Sequence, residues 1–211
     1  MTTLIAATIV FLATHFVTST PLRPVLVARL GEWPYRAAYS LIAAATLGWM
    51  IWAYAAAPRE AVLFAGIREA SYVLMPVAFI LIACGYWRNP TMVGAEKLLK
   101  SVDPARGVIR VTRHPIMWGV MLWAIGHIVA RGEAKGVVFF GGFLLLAALG
   151  TLFMDARKKA NPDWPRFAAV TSHVPFQAIL GGRNRLVWRE IGWLRPAIGL
   201  AAFLLVLLAH P

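Results

Sequence analysis

Residues 136–154 read GVVFFGGFLLLAALGTLFM, nineteen residues without Lys, Arg, Asp or Glu, bounded by Lys135 and Asp155. As a helix rising 1.5 Å per residue this run is about 28 Å long, nearly the thickness of a hydrocarbon core of about 30 Å. Residues 1–22 are free of the same four types, and a first span is expected at about 3–20. Further runs lie at about 37–57, 70–87, 115–130 and 196–209. The reading is therefore an all-α, polytopic membrane helix bundle of about six transmembrane helices, forming one domain over 1–211. The fourth span is short, and the sixth starts earlier, at Ile191 to Leu194, if Arg195 snorkels to the headgroups.

Composition agrees. The 211 residues are 60% hydrophobic and only 14% charged, against about 25% charged in soluble domains, and mean hydropathy is +0.68. No positive residue precedes the first apolar run and no A-x-A-like site ends it, so that run is expected to remain as a span and not to be cleaved. The lone cysteine, Cys84, excludes an internal disulfide, and with no Cys-x-x-Cys there is no zinc ribbon or c-type haem attachment. It reads as a small apolar packer, although a thiolate can ligate haem iron.

A net charge of +12 on a soluble chain would suggest nucleic acid. Here the basic residues sort by topology. Seventeen of the 21 fall in the first, third and fifth connections, and only Arg59, Arg68, Arg131 and Lys135 in the second and fourth. The positive-inside rule puts the odd connections in the cytoplasm and both termini on the periplasmic side. Anionic headgroups then account for the charge, and no nucleic-acid partner is needed.

Two histidines fall inside spans, where an ionisable group is costly unless it has a task. His15 lies toward the inner part of the first span and His127 in the fourth, at depths within roughly 6 Å of one another by helical rise. One reading has both imidazoles coordinating a single metal centre, most naturally the iron of a haem held between helices, with Gly119 and Gly126 on one face of the fourth span allowing close approach. The other has both hydrogen-bonding neighbouring helices.

The block RVTRHPIMWG at residues 110–119 opens the fourth span. Pro115 suits a first helical turn and pushes His114 into extended backbone outside it. Arg113 and His114 at the inner surface could bind a phosphate or a propionate, or form an ordinary helix entry. Asp155, followed by Arg157, Lys158 and Lys159, reads as their counter-ion. His173 reads as a loop residue and His210 as solvated. The common soluble-enzyme signatures, among them the Walker A, Gly-x-Ser-x-Gly and His-Glu-x-x-His motifs, are absent.

Four features together resemble the NnrU family over nearly the whole chain: HFVTS at 15–19, the RVTRHPIMWG block, Gly126-His127 thirteen residues after His114, and TSHVPFQAILGGR at 171–183. The resemblance implies a bacterial inner-membrane protein linked to denitrification and nitric oxide metabolism. It also implies a relation to the 15-cis-zeta-carotene isomerases, which bind haem b through two histidines matching His15 and His127. On that reading Arg113 and His114 contact the haem propionates, and the partners are the bilayer, haem and respiratory or denitrification proteins. The chain departs from the isomerases at Ala124, where they carry a cysteine, and at His173, where a small polar residue is expected. A more distant similarity, through Arg113-His114-Pro115 and the Val-Pro-Phe closure, is to isoprenylcysteine and phospholipid methyltransferases that use S-adenosylmethionine. That group usually offers paired glutamates where this chain has only Asp155. A non-enzymatic assembly factor for a respiratory complex is the third alternative.

Overall fold

A helix satisfies its backbone hydrogen bonds internally, which is what an apolar solvent demands of a single segment. The computed structural model describes residues 1–20, 22–58 and 61–210, and among them it holds ten α-helices and no strand. They are α1 (Thr2–Phe16), α2 (Leu22–Leu30), α3 (Glu32–Ala56), α4 (Glu69–Gly85), α5 (Pro115–Arg131), α6 (Ala134–Lys158), α7 (Trp164–Val170), α8 (Gln177–Leu180), α9 (Trp188–Ile191) and α10 (Leu194–Ala209).

Each of the six expected apolar runs is one helix. Three are long and apolar enough to cross a membrane: α1 with the tight turn that follows it, Thr2–Ser19, then α3 and α6 at 25 residues each. α4, α5 and α10 have 17, 17 and 16 residues, about 24–26 Å. α3 starts five residues before the apolar run because Glu32 accepts from Arg36 one turn on at 2.8 Å and from Arg23 at 3.1 Å, which holds its first turn. α2 interrupts what reads in the sequence as a plain connection.

The apolar helices neighbour one another in the order α3, α1, α6, α5, α4, α10. Glycine sets the closest spacings. A Cβ on Gly119 of α5 would lie 2.7 Å from the Ala78 carbonyl oxygen of α4, and one on Gly199 of α10 would lie 2.7 Å from the Ile80 Cα, so α4 is gripped from both sides. Gly126 likewise faces Leu74 and Met75. The glycine face of α5 thus receives a helix, where the sequence reading gave it to a macrocycle.

Leu4, Ala7 and Phe11 of α1, Met50 and Ala53 of α3, Ala124 of α5, and Phe139 and Phe140 of α6 form one buried cluster. Outward, large apolar side chains are bare, with Leu41 72%, Val73 67% and Leu205 68% exposed. A second cluster, Cys84, Leu99, Ala105, Val108, Ile109, Trp164 and Phe167, lies where the long connections meet, with Cys84 packed as a small apolar residue.

Arg110 locks those connections together. Its Nε and Nη2 donate to Glu190 Oε2 and Oε1 at 2.7 and 2.9 Å, Nη1 donates to Asn184 at 2.8 Å, and Asp103 takes a further bond. Gly107 N–H, on a left-handed φ of 65°, also donates to Glu190 Oε2 at 2.9 Å. Bidentate geometry of this kind is the strong form of the ion pair. The Arg110 bonds hold the Glu190 carboxyl down at about 2, against an ordinary 4.5.

Two measurements follow. Gly199→Ala pushes a methyl into the α4 backbone and should destabilise by about 1–3 kcal/mol, whereas Gly150→Ala, whose Cβ meets nothing within 4 Å, should be neutral or stabilising by up to about 1 kcal/mol; thermal unfolding in detergent compares them. A carboxyl depressed in the fold stabilises fully above its unfolded value and loses that contribution as pH falls to its folded one. Unfolding temperature should therefore drop between about pH 4.5 and about pH 2, with a visibly shallower drop in Glu190→Gln.

Candidate functional site

Proline at the first position of α5 fixes the chain entering it. His114 precedes it at φ −122°, ψ 54°, outside the helical region. The stretch 111–114 is pinned by the 171–176 loop: Arg113 N–H donates to Ser172 O at 2.9 Å, Phe176 N–H to Val111 O at 2.8 Å, and the Thr112 hydroxyl to His173 O at 2.8 Å. Trp118, one turn into α5, donates its indole N–H to the same His173 carbonyl at 2.9 Å. This segment brings together residues that the sequence separates by up to 65 positions.

At the centre is Asp155, near the end of α6. Its Oδ1 lies 2.7 Å from His114 Nε2 and its Oδ2 lies 3.4 Å from Arg113 Nη1. The His114 side chain is fully buried, and those of Arg113 and Asp155 are 13% and 19% exposed. Arg113 also donates to Thr171 O at 3.3 Å and lies over the Trp164 ring. Burial pulls the Arg113 guanidinium below its ordinary range, and Asp155 opposes the shift. The His173 ring stands edge-on to His114, centroids 5.6 Å apart, with its Nε2 3.3 Å from the Thr151 hydroxyl. Burial and then neighbouring His114 hold His173 below the usual histidine range, which favours the neutral ring.

Proton bookkeeping decides the tautomers. A carboxylate only accepts, so His114 carries its proton on Nε2. The Thr151 hydroxyl gives its one proton to Ala148 O at 2.6 Å and can only accept from His173 Nε2. The Nδ1 atoms of both rings are buried without a hydrogen-bond partner.

The counter-ion reading of Asp155 is corrected. Its partners are His114 and Arg113, because Lys158 turns instead to Pro90 O at 3.2 Å and Glu96 at 3.0 Å. His173, which the sequence leaves in a loop, belongs to this cluster. Its signal was available only as one more histidine beside a helix-entry loop.

The two span histidines sit elsewhere. His15 donates Nδ1–H to Phe11 O at 2.7 Å, and His127 donates Nδ1–H to Trp123 O at 2.9 Å. Each leaves Nε2 as an acceptor. Ring contacts lead from His15 to Phe11, Phe143, Trp123 and His127, with centroid steps of 4.1, 5.3, 5.4 and 4.9 Å. His127 also stacks on Phe140 and lines a cavity of about 760 Å³ with Tyr54, Tyr72, Met75 and Phe203. His15 is not among the residues lining it. His210 is exposed and also borders this wall, with its ring 6.1 Å from that of His127. His114, just ahead of α5, and His127 within it are thirteen residues apart, about 20 Å along the helix axis. Arg113 and His114 thus group with Asp155 and His173, and His127 groups with the aromatic cluster.

Comparison with known proteins adds lineage. The 15-cis-zeta-carotene isomerase of Arabidopsis thaliana chloroplasts is 29% identical over 123 residues, 57% of this chain and 33% of the plant protein. The chloroplastic enzyme of the same name from Zea mays is 30% identical over 82 residues, 38% of this chain and 22% of the relative. The matched part is about a third or less of these curated relatives. No solved structure matches. The sequence profile of the NnrU protein family matches residues 3–211, and the chain belongs to that family.

Proposed function

We propose that this chain is a multi-pass protein of the bacterial cytoplasmic membrane, with six spans and both termini periplasmic, that holds haem b through His15 and His127. We further propose isomerase-type or redox chemistry linked to nitric oxide metabolism and denitrification. The observation that carries the haem assignment is the shared state of the two imidazoles: each has Nδ1–H tied to the carbonyl four residues earlier. That bond fixes the ring and leaves Nε2 to a metal, the usual condition of a metal-bound histidine. Two imidazole nitrogens are a donor set that would suit haem iron.

Haem, if held by His15 and His127, would supply an iron centre that can change oxidation state. The chain's own contribution is orientation and exclusion. Phe11 O and Trp123 O aim the imidazoles, while Phe139, Phe140 and Phe143 pack around Trp123 or its neighbours and keep water out. Phe11, Phe143 and Trp123 lie on the contact path between the histidines, so a shared iron requires these rings to turn aside. The cavity beside His127 is walled largely by Met, Phe, Trp and aliphatic side chains and suits an apolar substrate. The similarity to carotene isomerases supports that class of chemistry.

The methyltransferase alternative is weaker on this geometry. Asp155, the carboxylate it would use to bind the cofactor's amine or ribose, is occupied by His114 and Arg113.

Absorption spectroscopy of the detergent-purified protein tests the proposal. A Soret band of low-spin type should appear, shift on reduction or on addition of nitric oxide, and fall at least about ten-fold in haem content in His15→Ala and in His127→Ala. A preparation with no Soret band, or a band unchanged in both variants, would remove haem from the account.

A further inference from the structure

We infer that His114, Asp155 and His173 form a binding site for one first-row divalent transition-metal ion, of the zinc or ferrous class, at the loop-rich end of the bundle. The inference is independent of the haem reading, since His114 is about 20 Å along α5 from His127.

Three observations converge. One ligand atom from each of the three residues lies within 4.8 Å of the other two, which small shifts could draw onto a single ion at about 2.0–2.2 Å. The three belong to different parts of the chain: the approach to α5, the end of α6 and the 171–176 loop, each held by the backbone bonds described above. Most tellingly, His173 Nδ1 is buried with no hydrogen-bond partner, and His114 Nε2 faces Asp155 Oδ1 at 2.7 Å, where an ion can take the place of the shared proton.

The donor set selects the ion. Two imidazoles and one carboxylate favour a borderline transition metal over Mg²⁺ or Ca²⁺, which take mostly oxygen ligands. Arg113 occupies Asp155 Oδ2 at 3.4 Å, which leaves Oδ1, the oxygen beside His114 Nε2, to the ion. With that guanidinium present, a divalent ion leaves the centre net positive, which calls for hydroxide or another small anion at the remaining position. The Thr151 hydroxyl, 3.3 Å from His173 Nε2, holds that ring in orientation as an outer partner.

The test uses the full chain in detergent, stripped with chelator and titrated with Co²⁺ alone. Expected is saturable binding of one equivalent with ligand-field absorption, and an unfolding temperature that rises with added Co²⁺ or Zn²⁺. His173→Gln, in a loop and partly exposed, should keep the fold and weaken binding by at least about 100-fold; Asp155→Asn should weaken it as much but also lower the unfolding temperature, while His15→Ala and His127→Ala leave Co²⁺ binding unchanged. Wild-type binding no tighter than about 1 mM, or an isotherm that His173→Gln leaves unaltered, overturns the assignment.

Discussion

A carboxylate at the end of an apolar helix cannot be left unpaired, and Asp155 is where this chain meets that requirement. Its two oxygens are shared between His114 and Arg113, tying the end of α6 to the start of α5. Breaking a buried pair of this kind costs about 3–5 kcal/mol, mostly because the surviving charge has no partner. The other contacts at this end are arranged around it. The 171–176 loop lies against 111–114 so that Arg113 and Trp118 can be satisfied by its carbonyls, and His173 is carried into place as a consequence. A second charge centre, Arg110 with Glu190, Asn184 and Asp103, closes the remaining connections.

The bundle itself depends on a different constraint. Apolar side chains gain little by leaving lipid for one another, so helix association there rests on close packing, and small residues permit it. Gly119 and Gly199 let α5 and α10 approach the α4 backbone, and Gly142 of α6 faces Thr8 and Met50. Aromatic rings fill the wider space between α1, α5 and α6, and both span histidines are built into that ring cluster by bonds to their own helices. Two side-chain clusters therefore meet the α5 segment: an aromatic one around His127 and a polar one around His114.

The same proline that starts α5 makes the polar region possible. It holds His114 off the helix, so the imidazole points across to α6 and does not follow the helical spiral. Had 114 been helical, its side chain would have been directed along α5, and Asp155 would have kept only Arg113.

Taken alone, the sequence was enough to establish an all-helical chain of apolar segments and, through HFVTS, RVTRHP and Gly126-His127, its family. Those features are local: a charge-free run of nineteen residues or a proline after a histidine means the same thing wherever the chain later goes. Where the polar side chains end up is not local. Asp155 stands next to Arg157, Lys158 and Lys159 in sequence, and only the folded arrangement gives it to His114 and gives Lys158 to Glu96. Likewise Gly119 and Gly126 declare a close approach without saying of what; the tertiary structure supplies α4. Pairing in a bundle is set by which helix faces meet, and a spacing along one chain segment carries no information about the segment opposite.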